Sequence, residues 1–189
     1  LGGPVGIGLL LVAGDVELEP LVRGGSQEAG LWPGTQNALG AAGFAEAARR
    51  IVGELPASAR RWAEMRDDLA ERLRSEIDGL RIHAGDAEAR LPNLLSVGAP
   101  GSDSSALLVS MDMEGVAVSS GSACESGSAS PSHVLGAMDV EGPTEDYAVL
   151  RFSLGPETGR DEVRRAAEAA IRSVRTARGG RSAAAAGGG

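Results

Sequence analysis

The chain has 189 residues, of which 42% are hydrophobic and 23% charged, and its formal net charge is −8. This composition is that of a globular protein with a folded core, and the length fits one domain or a small domain plus part of another. The acidic balance argues against a nucleic-acid partner, because neutralising phosphates needs a basic surface. No apolar run approaches the ~20 residues that span a bilayer. With a single cysteine and no visible signal peptide, we expect a cytoplasmic protein without membrane attachment.

The first part of the chain is predicted to contain two strands, a loop and two helices. Residues 4–12 and 16–22 have the apolar pattern of short strands. A loop rich in Gly and Pro follows over 24–37. Helices are predicted over about 37–53 and about 57–79, because Pro56 should separate them. The second helix carries an apolar stripe formed by Trp62, Met65, Leu69, Leu73, Ile77 and Leu80.

Strands and helices alternate in the second part of the chain. Interleaved elements of this kind indicate an α/β or α+β layer with helices on one face of a small sheet. Thr158 and Asp161 have the spacing of a capping box at the start of the last helix. The predicted strands are 81–83, 94–97, 116–119 and 149–154, and the predicted helices are about 103–113, 131–138 and 160–177. Low complexity after Gly179 predicts a disordered tail.

All 18 basic residues are arginines, and the chain contains no lysine. A coding bias toward arginine would explain this composition, but the chemical consequence is the same whatever the cause. Arginine does not form a Schiff base with an aldehyde cofactor, because its guanidinium stays protonated in proteins.

Cys124 lies in a segment of small polar residues. Residues 119–132 contain seven serines, two glycines and one proline, and no large apolar side chain. Such a segment cannot bury itself, which predicts a solvent-facing loop with an accessible thiol. A lone cysteine also serves as a small buried apolar residue. The local sequence therefore leaves two interpretations of Cys124 open, a nucleophile and a packing residue.

Arg151 and Thr35 are candidates for binding anions. Arg151 lies inside the apolar strand VLRFSLG, where a guanidinium is costly to bury without a partner, so we expect it to face a carboxylate. That carboxylate belongs either to one of the 26 acidic residues of the chain or to a ligand. Thr35 and Gly34, in the loop LWPGTQN, offer a hydroxyl and an amide to an anion.

Five segments, in this order, resemble the NifS-like cysteine desulfurases, which are pyridoxal-phosphate enzymes of the class V aminotransferase group. They are GGPVGIGLLLV, LEPLVRGGSQEAGLWPGTQN, LPNLLSVGAPG, VAVSSGSACESGSASPSHVLGAM and LRFSLG. The resemblance implies an α/β fold, the C-terminal part of a fold-type I pyridoxal-phosphate-dependent transferase. Residues 1–55 would be the end of its large cofactor-binding domain. Residues 56–178 would be a connecting helix and an α+β small domain that carries Cys124, and 179–189 a disordered tail.

The resemblance also implies a reaction and the residues that serve it. Sulfur would be removed from L-cysteine to give L-alanine and a persulfide on Cys124, and would then pass to an iron–sulfur scaffold or another acceptor protein. Arg151 would bind the substrate carboxylate. Thr35 would contact the phosphate of pyridoxal 5'-phosphate in the neighbouring subunit of a homodimer, and the cofactor would act as the electron sink.

The chain departs from the family pattern at the cofactor. The Schiff-base lysine of the family is expected just before the position of Leu1, so the resemblance implies a fragment that is inactive alone. Trp32 stands where the family usually has arginine before its Pro-Gly-Thr turn. Two alternatives remain: a non-enzymatic sulfur carrier or interaction module that keeps only the Cys124 segment, and a relative with another substrate, such as a selenocysteine lyase or a class V aminotransferase.

Overall fold

The computed structural model describes residues 2–87, 89–120, 133–138 and 147–186, with the backbone alone described for His133 and 181–186. The chain divides into two compact units, Leu1–Pro56 and Ala57–Gly189. In the described ranges a short 3-10 helix (Glu28–Gly30) comes first. It is followed by α1 (Ala38–Glu76), β1 (Arg81–Ile82), β2 (Leu94–Pro100), α2 (Ser104–Met113), α3 (His133–Ala137), β3 (Tyr147–Ser153) and α4 (Arg160–Ala186). None of the helices described there combines the length and hydropathy needed to cross a membrane.

The two strands predicted near the start of the chain are wrong. Residues 4–12 and 16–22 have no regular secondary structure, and Leu9, Leu10 and Leu11 are exposed. A strand is stable only when a neighbouring strand satisfies its backbone groups, and residues 2–56 contain no strand that does so. The apolar pattern was therefore an insufficient signal in this unit.

The predicted break at Pro56 is also wrong, because α1 runs through it from Ala38 to Glu76. Proline removes one helical hydrogen bond and crowds the preceding turn. The residues on both sides are mainly Ala, Arg and Glu, which favour helix strongly enough to continue it. The side chain of Asn37 caps the start of α1, where its Oδ1 accepts the amide of Gly40 at 2.9 Å.

β1, β2 and β3 form an antiparallel sheet in that order. The strands predicted over 81–83, 94–97 and 149–154 are confirmed with shifted ends. The strand predicted over 116–119 is wrong, because this segment contributes only one bridge, between Ser119 and Arg151. The bridge lies on the edge of β3 that is not paired with β2.

The main core lies between one face of this sheet and α1, α2 and α4, and the apolar stripe predicted for the second half of α1 faces it. Along β3, side chains alternate between this core and the opposite face, as the pleat of a strand requires. The core contains Met65, Leu69, Leu73 and Ile77 of α1, Leu95, Val97 and Ala99 of β2, Leu107 and Met111 of α2, Ala148, Leu150 and Phe152 of β3, and Val163, Ala167, Ala170 and Val174 of α4.

The start and end of α4 differ from the predictions. The capping carboxylate is that of Glu162, which accepts the amide of Gly159 at 2.8 Å, so Asp161 does not serve as predicted. Thr158 instead accepts the amide of Gly155 through its Oγ1 at 2.8 Å. The backbone is helical to Ala186, so residues 179–186 continue α4 where a disordered tail was expected.

Candidate functional site

The face of the sheet opposite the main core carries most of its polar side chains. Because side chains alternate along strands and the register is fixed, these residues share one side. We call this surface the polar face, and it comprises Arg81, His83, Ser96, Gly98, Tyr147 and Arg151. Leu135 of α3 packs with Tyr147 and Val149 on the same side.

Arg151 is half-buried on the polar face, directly opposite Ser96. Its amide donates to the carbonyl of Ser119 at 2.7 Å, and its carbonyl accepts the amide of Ser119 at 3.1 Å. Its Nη2 donates to Ser119 Oγ at 3.4 Å. The Nε atom is buried and has no hydrogen-bond partner among the described residues. Leaving a buried donor unsatisfied costs about 1–3 kcal/mol, so this atom needs an explanation.

The sequence left open whether an acidic residue of the chain pairs with Arg151. Within the described ranges no such ion pair is present, although many other arginines there have carboxylate partners. The pairs of those arginines lie on exposed helix surfaces, where ion pairs contribute little to stability. Arg151 therefore differs from them both in its strand position and in its partly unsatisfied guanidinium.

A buried hydrogen-bond network occupies the rest of the polar face. His83 contacts Ser96 Oγ through Nδ1 at 2.9 Å and the hydroxyl of Tyr147 through Nε2 at 3.0 Å. The guanidinium of Arg81 lies 5.5 Å from the centre of the Tyr147 ring, within the range of a cation–π contact. Burial, and secondly the charge of Arg81, lower the pKa of His83. The network therefore favours neutral histidine.

No sequence pattern indicates this network or the contact of Ser119 with Arg151. His83 and Tyr147 are 64 positions apart, so no local pattern connects them. The only signal was the strand assignment itself, since antiparallel pairing of β1, β2 and β3 brings these side chains to one face. Ser119 was included in the serine-rich segment without a role of its own.

Cys124 and Thr35 are the other predicted site residues. Cys124 lies outside the described residues. Thr35 is exposed in the unit Leu1–Pro56, and Trp32 nearby is 60% exposed. The amide of Gly34 already donates to the Oε1 atom of Gln27 at 3.2 Å, so this amide is occupied.

The family model described as "Aminotransferase class-V" matches residues 1–166. This chain belongs to the class-V aminotransferase family. Within the family it is 41% identical over 165 residues to "Cysteine desulfurase" of Gluconacetobacter diazotrophicus, covering 87% of this chain and 41% of that protein. It is 38% identical over 177 residues to "IscS-like cysteine desulfurase" of Mycobacterium tuberculosis, covering 94% of this chain and 45% of that protein.

The fold of this family member matches that of a solved NifS-like protein from Rickettsia africae. The TM-score is 0.69 with 26% identity, covering 84% of this chain and 40% of the other. The α/β fold class inferred from the sequence is thereby confirmed. The chain spans less than half the length of the curated relatives it matches.

Pyridoxal phosphate is the cofactor that the family implies, and the residues of this chain do not fit its covalent attachment. No lysine is present to form the Schiff base. In the loop that the resemblance expects to contact the phosphate, the Gly34 amide is bonded to Gln27. A cofactor bound as in the family would need residues that these 189 do not supply.

Proposed function

We propose that this chain is the sulfur-accepting part of a cysteine desulfurase, in which Arg151 binds the carboxylate of L-cysteine and Cys124 receives its sulfur. The observation that carries the proposal is the unsatisfied Nε–H of Arg151, half-buried on the polar face of the sheet. Similarity to relatives named cysteine desulfurases supports the substrate.

The surroundings of Arg151 favour a carboxylate ligand over an internal partner. Arg151 lies in β3 opposite Ser96 of β2, and its own amide and carbonyl are both bonded to Ser119 on the other edge. A guanidinium held in this way offers donors in a planar fork that matches a carboxylate, and a ligand oxygen at Nε would satisfy the buried donor. The described residues contribute only a serine hydroxyl to that fork.

Chain length supports Cys124 as the sulfur acceptor for a ligand held by Arg151. Cys124 follows Ser119 by five residues, and Ser119 is bonded to the backbone of Arg151. Five residues span at most about 18 Å, which limits how far the backbone of Cys124 can lie from Ser119. A thiolate is the form of cysteine that attacks sulfur.

The overall reaction transfers one sulfur atom. The bond between carbon and sulfur in L-cysteine breaks, a sulfur–sulfur bond forms at Cys124, and the carbon takes a proton to give L-alanine. The persulfide then passes to an iron–sulfur scaffold or another acceptor protein. The lysine that this chemistry requires in the family would come from polypeptide other than these 189 residues. Thr35 would contact the cofactor phosphate in the neighbouring subunit of a homodimer. We place the protein in the cytoplasm.

The absence of lysine specifically favours a second candidate, a sulfur carrier that receives its sulfur from a separate enzyme. Both candidates use Cys124, but they differ at Arg151. A carrier has no need to bind an amino acid, whereas a desulfurase part must hold the carboxylate of its substrate. Binding of L-alanine, the expected product, therefore separates the two.

The first experiment tests Cys124. The purified chain is incubated with L-cysteine and a separate active cysteine desulfurase, and the peptide containing Cys124 is examined by mass spectrometry. We expect added sulfur on Cys124 in the wild type and none in the Cys124→Ser control. An unmodified Cys124 that iodoacetamide still alkylates would contradict both candidates, because an accessible thiol would then have failed to accept sulfur.

The second experiment tests Arg151 by titrating L-alanine while the arginine side-chain resonances are recorded by NMR. The signal lost in an Arg151→Gln variant identifies Arg151. Saturable movement of that signal supports the desulfurase part, and no movement supports the carrier. Adding pyridoxal phosphate to the chain alone should give no aldimine absorbance band, and a band at that position would overturn the proposal that the lysine lies elsewhere.

A further inference from the structure

We infer that Ser119 is a positioning residue for Arg151, a role that rests on the proposed function of Arg151 as the carboxylate-binding residue. Among the described residues, Ser119 is hydrogen-bonded to Arg151 through both its backbone and its side chain. In this role Ser119 holds the guanidinium in place before any ligand arrives.

The backbone of Ser119 secures the free edge of β3 at one point only. The two hydrogen bonds between Ser119 and Arg151, at 2.7 and 3.1 Å, form an isolated bridge that is not extended into a strand. Among the described residues, the other bond on this edge of β3 joins the amide of Val149 to the hydroxyl of Ser104 at 3.0 Å, and it involves a side chain and not a backbone bridge. The single bridge is therefore placed at the residue that carries the guanidinium.

The hydroxyl of Ser119 is oriented to accept from Arg151. Its proton is used, because Oγ donates to the carbonyl of Ser120 at 2.9 Å. A hydroxyl has one proton and two lone pairs, so Oγ meets the Nη2 group of Arg151 as an acceptor. The distance of 3.4 Å makes this contact weak on its own, and it constrains the guanidinium mainly because the backbone bridge fixes both residues.

The opposite side of Arg151 does not provide an equivalent acceptor. Ser96 is the residue directly across from Arg151 in β2, but its hydroxyl is hydrogen-bonded to the Nδ1 atom of His83 and, among the described contacts, not to Arg151. Ser119 is thus the described side chain that holds one end of the guanidinium while Nε stays without a protein partner. Removing the hydroxyl should loosen the guanidinium and weaken carboxylate binding without removing the charge.

The test compares Ser119→Thr with Ser119→Val, which have nearly the same shape and differ in the hydroxyl, and adds Ser119→Ala. Ser153→Ala is the matched control, because Ser153 lies on the same strand and is exposed. The first readout needs no ligand: the rotation rate of the Arg151 guanidinium, measured by NMR. We expect faster rotation in the Val and Ala variants, and wild-type behaviour in the Thr variant and the control.

The second readout is the dissociation constant for L-alanine, which we expect to rise about twofold to threefold in the Val and Ala variants, the lower end of the effect of one lost hydrogen bond, because the contact at 3.4 Å is weak. Equal rotation rates in the Thr and Val variants would overturn the inference, whatever the binding result. Faster rotation in the Val variant of a chain that binds no L-alanine would support the positioning of Arg151 and contradict the proposed function. If the Ala variant fails to fold, the Thr and Val pair still decides the question.

Discussion

Replacing Gly98 by alanine should destabilise the sheet severely. A Cβ atom at this position would lie 1.8 Å from the hydroxyl oxygen of Tyr147 and 2.2 Å from its Cζ atom. Real contacts of this kind need more than 3 Å, so the ring must move by over an ångström. The ring is not free to do so, because its hydroxyl is bonded to His83 at 3.0 Å.

The expected cost follows from these two contacts. Overpacking a filled site costs about 1–3 kcal/mol, and this overlap belongs at the upper end. Displacing the ring also breaks the bond to His83, which adds about 1 kcal/mol. We therefore expect the free energy of unfolding to fall by about 4 kcal/mol, measured by urea denaturation followed by far-UV circular dichroism.

Two variants make the Gly98 experiment specific. Gly136 lies in α3, and no atom of the described residues is within 4 Å of where its side chain would start, so Gly136→Ala should leave the stability unchanged or raise it slightly. Combining Gly98→Ala with Tyr147→Phe should recover only part of the loss, because the ring carbon remains in the way. A Gly98→Ala variant within about 0.5 kcal/mol of the wild type, the usual range for surface changes, would refute the reasoning.

Three further predictions use the same denaturation assay. The pKa of His83 is lowered in the folded chain, first by burial and then by the charge of Arg81, so the unfolded chain binds the proton more readily. The free energy of unfolding should therefore fall as the pH drops below about 6.5. If a His83→Gln variant kept the same dependence on pH, that dependence would belong to another group. Asp103→Ala should cost about 1 kcal/mol, because the carboxylate caps α2 by accepting the amide of Ala106 at 2.8 Å, and an unchanged midpoint would show the cap to be unimportant. Trp62→Phe should also cost about 1 kcal/mol, because the indole donates to the carbonyl of Gly155 at 2.9 Å, and a larger loss would mean that ring packing dominates.

The elements that the sequence predicted well are those whose burial follows a regular period. The stripe along the second half of α1 recurs every three or four residues, and Met65, Leu69 and Leu73 are buried as expected. The apolar runs near the start of the chain are continuous and do not show a helical spacing of this kind. Residues 4–12 looked like a strand, but a strand also needs a partner, which short local patterns do not reveal.

The candidate site was predictable only in part. An arginine within an apolar strand is unusual enough to mark Arg151, and the structure confirms its strand position and partial burial. Its partner Ser119 is 32 positions away, and the sequence around Ser119 contains several other serines that could equally well have been expected to contact Arg151. Antiparallel pairing decides which serine meets the guanidinium. The proposed roles of Cys124 and Thr35 rest on resemblance and stay predictions.

The close approach of Gly98 to Tyr147 also constrains how this sequence can vary. The two positions are neighbours across β2 and β3, and the space that one side chain needs is already filled by the other. A related chain with alanine or a larger residue at position 98 must carry a smaller residue at 147, and it then loses the hydroxyl that bonds His83. Substitutions at positions 98, 147 and 83 should therefore occur together in related chains.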